Sequence, residues 1–158
     1  MKNQKGLGSV QGDGDWPLPS FYFTVSISGC AGDTAFQEVS GLDFQIETEE
    51  YNEGGNNLVY HLPKVIKHGN LALKRAVTEK KSPLVTWCLG IMGDQLSKPI
   101  STKSVTVNLL NENGATCKSW TASNAYPVKL KIAPFHAEQN NVAIEEIELC
   151  FTHLKRNV

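Results

Sequence analysis

Apolar and polar residues alternate with a period of two in one segment after another of this 158-residue chain. A strand sends successive side chains to opposite faces, so the pattern predicts half-buried β-structure and leaves little room for helices. Phe21, Phe23, Val25 and Ile27 alternate with Tyr22, Thr24, Ser26 and Ser28. Gly29 to Thr34 reads as a turn, Phe36 to Ser40 as a short strand, and Gly41 as a bulge. Leu42, Phe44 and Ile46 then alternate with Asp43, Gln45 and Glu47. The polar run from Tyr51 to Asn57 interrupts the pattern, and Leu58, Tyr60 and Leu62 resume it until Pro63, which predicts a hairpin with a long polar tip. Leu71 and Leu73 face one side of the next strand, with Asn70, Ala72 and Lys74 on the other.

One segment changes period. Ser82-Pro83 supplies an N-cap and a first-turn proline, and Leu84, Trp87, Cys88 and Ile91 share one helical face up to a stop at Gly93. Strands return with Val105, Val107 and Leu109, and Asn113-Gly114 is a strong hairpin turn. Thr116 to Asn124 carries Trp120 and Ala122 on one face. Asn124-Ala125-Tyr126-Pro127 reads as a strand-linking turn, after which Val128, Leu130 and Ile132 alternate with Lys129 and Lys131. In the last strand Val142 and Ile144 are even and Ile147, Leu149 and Phe151 odd, so a bulge is expected near Glu145-Glu146. The expectation is a mainly β fold: an antiparallel β-barrel or sandwich of about eight strands with one α-helix packed outside. Residues 1–16, rich in glycine, read as a flexible arm, and residues 17–158 as a single domain.

Composition narrows the function classes. A net charge of -1 argues against a general nucleic-acid binder, which carries a basic excess. No apolar run approaches the ~20 residues of a membrane helix, and no apolar stretch follows Lys2 and Lys5. The chain is therefore expected to be made in the cytoplasm without a signal peptide, and to have no lipid anchor. Cys30, Cys88, Cys117 and Cys150 form no CxxC pair and read as reduced, mostly buried thiols. Asp13-Gly14-Asp15 begins a calcium-loop pattern that does not continue. His61, His68, His136 and His153 are scattered, so no metal site and no cofactor are expected. Glu146 and Glu148 share a strand face and Glu145 takes the other; all three read as a solvated strand. With no nucleophile–base arrangement and no phosphate loop, an enzyme is not expected.

Charge is uneven along the chain. From Asp43 to Glu53 there are five acids and no base, whereas from Lys64 to Lys81 there are six bases against Glu79. Adjacent segments of opposite sign suit either an internal ladder of ion pairs or head-to-tail assembly of identical copies.

Several segments together resemble one family. Pro17-Leu18-Pro19-Ser20-Phe21-Tyr22-Phe23, Glu38-Val39-Ser40-Gly41-Leu42 and the stretch from Leu62-Pro63 to His68-Gly69-Asn70-Leu71-Ala72-Leu73-Lys74-Arg75 are similar, in that order, to the inner tail tube proteins of contractile phages and phage-tail-like injection systems. Trp87 stands at the family's helix tryptophan, and Asn124-Ala125-Tyr126-Pro127 and Asn141 to Leu149 complete the series. The resemblance implies a structural part: six copies form a ring, and rings stack into a conduit that a contracting sheath drives through a target membrane. It implies as partners the sheath protein, baseplate and spike-hub proteins, and cargo in the lumen, with nucleic acid only as passing cargo in a phage. A tube-initiating adaptor ring at the baseplate hub is the alternative within the family. Outside it stand a monomeric β-sandwich binding module built on Tyr22 and Tyr60, and a hydrolase using Glu146 and Glu148.

The hairpin is expected to supply the ring contacts, through Glu47, Glu49, Glu50, Tyr51, Asn52, Glu53, Asn56 and Asn57 meeting Lys64, Lys67 or Lys74. Lys80 and Lys81 are candidate sheath contacts beside the helix, and Lys129 and Lys131 candidate lumen residues.

Overall fold

The structure is a computed structural model that describes residues 22–55, 57–78, 81–93, 96–136 and 141–157. These residues form β1 (Phe23–Ile27), β2 (Glu38–Ser40), β3 (Gln45–Asn52), β4 (Val59–Lys67), β5 (Leu71–Ala76), α1 (Pro83–Gly93), β6 (Lys103–Leu110), β7 (Thr116–Ile132), β8 (Ile144–Cys150) and β9 (His153–Arg156). The mostly β architecture with one helix is as expected, with one strand more than the expected count. Every strand pair is antiparallel. The arm 1–16 and Phe21 lie outside the described residues.

Seven strands form one sheet, six of them along the path β1-β6-β7-β8-β5-β2 and the seventh, β9, beside β7. The path does not close, so the fold is a sandwich-like open barrel. β7 links its two halves. Its first part pairs with β6 and β9, and its second part with β8. The expected turn at Asn124-Ala125-Tyr126-Pro127 is not there: the strand runs through it, and Asn124 absorbs the bend with φ 55°. Asparagine tolerates that left-handed conformation better than most residues. β8 and β9 follow the same bend, because Tyr126↔Cys150 and Ser123↔His153 keep one register across the interruption at Phe151-Thr152.

The expected bulge near Glu145-Glu146 is also absent. β8 keeps one phase, with Glu145, Ile147 and Leu149 all buried, and the irregularity sits opposite, between Pro127 and Lys129. Val128 is the residue displaced outward, contrary to its expected place beside Leu130. Ile132, at the strand end, is exposed as well. The core gathers Val25, Ile27, Leu71, Leu73, Val105, Val107, Ile147 and Leu149 from the facing strands and is covered at one end by Leu84 and Cys88 of α1. Fully burying such aliphatic side chains contributes ~1.5–3 kcal/mol each.

α1 begins and ends as the sequence reading places it. Ser82 Oγ accepts from the Val85 N–H at 3.2 Å, the Ser82 carbonyl accepts from the Thr86 N–H at 3.0 Å, and Trp87 is anchored by its Nε1–H to the Ser101 carbonyl at 2.9 Å. At the β6–β7 turn, Asn111 Oδ1 accepts from the N–H groups of Asn113 and Ala115, and Gly114 takes φ 78°.

Candidate assembly interface

Among the described residues β3 and β4 form a separate two-stranded sheet and pair with one another alone. Pro63 does not end β4, as the sequence reading expects; the strand continues to Lys67. A proline lacks the N–H for a ladder bond, and it is tolerated here because the pair slips beside it: Thr48 faces Pro63 while Glu47 faces Val65, leaving Lys64 as the extra residue. Through this bulge the faces stay consistent. Glu47, Glu49 and Tyr51 share one face with Val65, Leu62 and Tyr60, while Ile46, Thr48, Glu50 and Asn52 share the other with Ile66, Pro63, His61 and Val59.

Both faces are largely exposed, and each carries large apolar side chains among its polar ones. Ile66 is 65% exposed, Ile46 57% and Tyr51 53%, and Leu62, Val65, Tyr60 and Val59 are exposed too. Two strands alone are marginal in water, and a contiguous apolar surface of this kind marks an interaction site. Glu53 is exposed at the tip and Asn57 beside the start of β4, and Asn56 lies outside the described residues.

The hairpin's charges pair within the chain. Lys67 Nζ binds the Glu47 carboxylate, and Lys64 Nζ lies 3.7 Å from Glu49 Oε2. Lys74 is not among them: it stands on β5 and binds Glu38 of β2 at 2.9 Å. All these residues are substantially exposed, so the pairs serve orientation more than stability. Lys81 is exposed just before the Ser82 cap, and Lys80 lies outside the described residues. Lys129 and Lys131 stand on the outward face of β7, opposite Glu148 and Glu146, with Lys129 bound to Glu148.

A buried ionic cluster escaped the sequence reading. Arg75, Asp33 and Glu145 are 5%, 7% and 6% exposed. Arg75 donates from Nε to Glu145, from one terminal nitrogen to Asp33 Oδ1 at 2.6 Å, and from the other to Ser82 Oγ at 2.7 Å. Ser82 Oγ–H donates to Asp33 Oδ1 at 2.8 Å, and Asp33 Oδ2 accepts from the Leu84 N–H at 2.8 Å. Asp33 thus caps α1 from a distant loop and ties the helix start to the sheet. Burial raises the Asp33 pKa, but hydrogen bonds from Arg75, the Leu84 N–H and Ser82 outweigh it and hold the carboxyl below its ordinary value. Burial likewise lowers Arg75, and its bonds to Asp33 and Glu145 reverse the sign and raise it. The sequence reading expects Glu145 on a solvated strand; it faces inward because it is in phase with Ile147 and Leu149.

The four cysteines divide by burial. Burial, with Cys30 and Glu145 nearby, pushes the Cys88 thiol up to about 12, and burial first of all raises Cys30. Cys117 and Cys150 are half-buried. Because the thiolate is the nucleophile, brief maleimide treatment of the folded protein at neutral pH should modify Cys117 and Cys150 and spare Cys30 and Cys88. Peptide mass mapping checks this, and early modification of Cys88 would contradict it.

Among the described residues, the histidines and tyrosines singled out by the sequence reading lie apart. His61 lies opposite Glu50 on the hairpin, and His68 stacks on Phe151 with centroids 4.1 Å apart. Tyr60 faces Tyr51 across the hairpin, far in the chain's order from Tyr22 at the start of β1. Among the described residues no group of three His, Cys, Asp or Glu side chains is placed to hold a metal ion, and no helix is long and apolar enough to cross a membrane.

An open barrel whose edges are unpaired among the described residues, an outside helix and an exposed two-stranded hairpin are the features of an assembly subunit. The chain belongs to the family of T4-like virus tail tube protein gp19, whose pattern matches residues 19–155. It is similar to a chain of the sheath-tube complex of an extracellular contractile injection system, PVC, at 30% identity and TM-score 0.77, covering 90% of this chain and 93% of that one. It is similar also to a chain of the baseplate of the anti-feeding prophage, at 29% identity and TM-score 0.78, covering 90% and 96%. Hcp1 from Flavobacterium johnsoniae shares the fold at 17% identity and TM-score 0.51, covering 86% of this chain and 94% of that one. No curated protein sequence matches significantly. The chain is accordingly a tail tube protein of the contractile-injection and phage-tail type.

Proposed function

We propose that this protein builds the inner conduit of a contractile particle as hexameric rings that stack, enclosed by a sheath whose contraction drives the tube through a target membrane. The observation that carries the reading is the β3–β4 hairpin, which exposes large apolar side chains on both faces and pairs with no other strand among the described residues. A surface of this kind needs a neighbour, and in a stacked assembly the neighbour is an identical copy. The similar chain in PVC sits in a sheath-tube complex, and the anti-feeding prophage baseplate is six-fold symmetrised, which supports the sheath and baseplate as partners and six as the copy number.

In this reading the hairpin, with Glu47, Glu49, Glu50, Tyr51, Asn52 and Glu53, makes the ring-to-ring contact. Lys80 and Lys81 face the sheath, and Lys129 and Lys131 line the lumen beside Glu146 and Glu148. The role is structural, without catalysis or cofactor, and the subunit is made in the cytoplasm before assembly into the particle.

Negative-stain microscopy of the purified protein tests this: rings and tubes with a central channel are expected. Deleting residues 53–57 should leave the circular dichroism spectrum of the domain unchanged and abolish tubes longer than one or two rings. Tubes of normal length from that deletion would remove the hairpin from the stacking contact. Monomers of the intact protein at every concentration and salt would count against the assembly itself.

A further inference from the structure

We propose that Glu38 of one subunit pairs with Lys131 of the next, so that a row of alternating charges crosses every subunit boundary and fixes the register in which the ring closes. The proposal rests on the ring reading above and names the residues that make its lateral contact.

Four strands place one row of side chains on the outward face. Glu38 of β2 is opposite Lys74 of β5, Lys74 is opposite Glu146 of β8, and Glu146 is opposite Lys131 of β7. The signs read minus, plus, minus, plus. Glu38 and Lys74 are hydrogen-bonded at 2.9 and 3.0 Å, which shows the row in use within the chain. The two ends carry opposite charges, and both ends stand at open sheet edges. Among the described residues β2 pairs only with β5, and β6 leaves β7 after Ala125, so residues 126–132 have β8 on one side and no strand on the other. Open edges of this kind are templates for pairing with another chain.

A second copy fits between them. Three antiparallel steps separate β2 from β7, so the two strands run in opposite directions, and a neighbour's β2 continues the antiparallel order beside β7. The contact joins two different edges, which is the head-to-tail type that generates rings. Four strands are too few to close on themselves, so the edge of β7 cannot be satisfied by β2 of its own chain.

Side-chain phase then selects the register. With Glu38 opposite Lys131, Val39 falls opposite Leu130 and Ser40 opposite Lys129. Val39 and Leu130 are both partly buried and already pack on the core, so the apolar side matches when the charged side does. A slip of one residue would turn Val39 outward. A slip of two would offer Glu38 the other lysine, Lys129, but the pairing would then run into the Val128 bulge and Pro127. Lys131 has no ion pair among the described residues.

The test is a charge swap read by mixing. Glu38→Lys alone and Lys131→Glu alone each place like charges at every boundary, and like charges directly opposed disfavour association. Each purified variant should stay folded and need at least about tenfold more protein than wild type to form rings. In an equimolar mixture the copies can alternate, each boundary then carries one acid and one base, and an even-membered ring recovers wild-type assembly. Sedimentation velocity and negative-stain images read all three samples. Wild-type assembly by either single variant, or a mixture no better than its components, would overturn the pairing while leaving the tube reading intact. Absence of rings from the wild type would remove both. Should Glu38→Lys misfold against its own Lys74, the double variant Glu38→Cys/Lys131→Cys replaces it. Opposed antiparallel residues lie ~4.5–5.5 Å apart at Cα, within disulfide reach. Oxidation should then give a ladder of covalent oligomers beyond that of either single cysteine variant, and a ladder no different from the single variants would refute the register.

Discussion

Replacing Arg75 by methionine is expected to destabilise the folded subunit by about 3–5 kcal/mol, a drop of roughly 6–20 °C in Tm for a domain of this size. Methionine keeps much of the stem's apolar volume, so the loss reports the guanidinium. Without it, Asp33 and Glu145 remain buried, at 7% and 6% exposure, with no cation between them. An uncompensated buried carboxylate is far more costly than the intact pair is favourable, which is why removing one partner has a large effect. Asp33 also accepts from the Leu84 N–H, so its displacement loosens the start of α1. Arg75→Lys should cost less than methionine but not nothing, because one ammonium cannot reproduce the fork that reaches Asp33, Glu145 and Ser82 together.

The pH dependence has a definite sign. In the wild type the Asp33 carboxyl titrates below its ordinary value, so its contribution is present above about pH 4 and is lost as pH falls through the lower, folded value. In Arg75→Met the buried Asp33 carboxyl keeps the burial that raises its pKa and loses the guanidinium that lowers it, so acid relieves the strain. Urea unfolding curves of the two proteins should therefore lie far apart at pH 7 and approach one another toward pH 4. A loss below about 1 kcal/mol at pH 7, or a gap independent of pH, would show that the cluster is not the structural tie described.

This cluster marks where sequence reading stopped and why. The phase that identified Leu71 and Leu73 as inward also covers Arg75, and the phase of Ile147 and Leu149 covers Glu145. Read strictly, period two places both charges inside; the polarity of the residues argued the other way. Asp33 has no such signal, because it lies in a loop and reaches the helix from 51 positions away. Elsewhere the local rules sufficed: Ser82-Pro83 opened α1, Asn113-Gly114 made its turn, and the hairpin from Gln45 to Lys67 stood where the polar tip put it. The failures at Pro63 and Asn124 share one cause: each is a place where two strands fall out of step, and the partner strand decides which of them carries the bulge or bend. At Glu145-Glu146 the strands stay in step, and the irregularity falls on β7 between Pro127 and Lys129, opposite Leu149 and Glu148. The apolar residues of the hairpin were equally visible, but alternation cannot show that neither face meets the core.

Gly41→Ala is the second substitution expected to have a large effect, about 3–5 kcal/mol, and its control separates two causes. Gly41 has φ +90°, and a Cβ built there would stand 1.9 Å from the Asn70 carbonyl oxygen, 2.8 Å from its carbon and 3.1 Å from the Leu71 Cα. All three are backbone atoms beside β5, so nothing flexible can yield. Gly32 has nearly the same backbone, φ +96°, with nothing within 4 Å. Gly32→Ala therefore measures the left-handed strain alone, about 1–3 kcal/mol, and the difference between the variants isolates the close approach. That approach is what holds β2 against β5: Gly41 follows Ser40 directly, and Ser40 pairs with Ala72. Pushing this junction outward displaces the edge that carries Glu38, and with it the root of the hairpin that begins at Gln45. Gly41→Ala should accordingly lose ring assembly even under conditions where most of the chain remains folded, whereas Gly32→Ala should assemble. Thermal unfolding and sedimentation of the pair measure both effects. Equal stabilities to within ~0.5 kcal/mol would mean that the Asn70 backbone moves aside easily, and that the edge of β2 is not fixed by this contact.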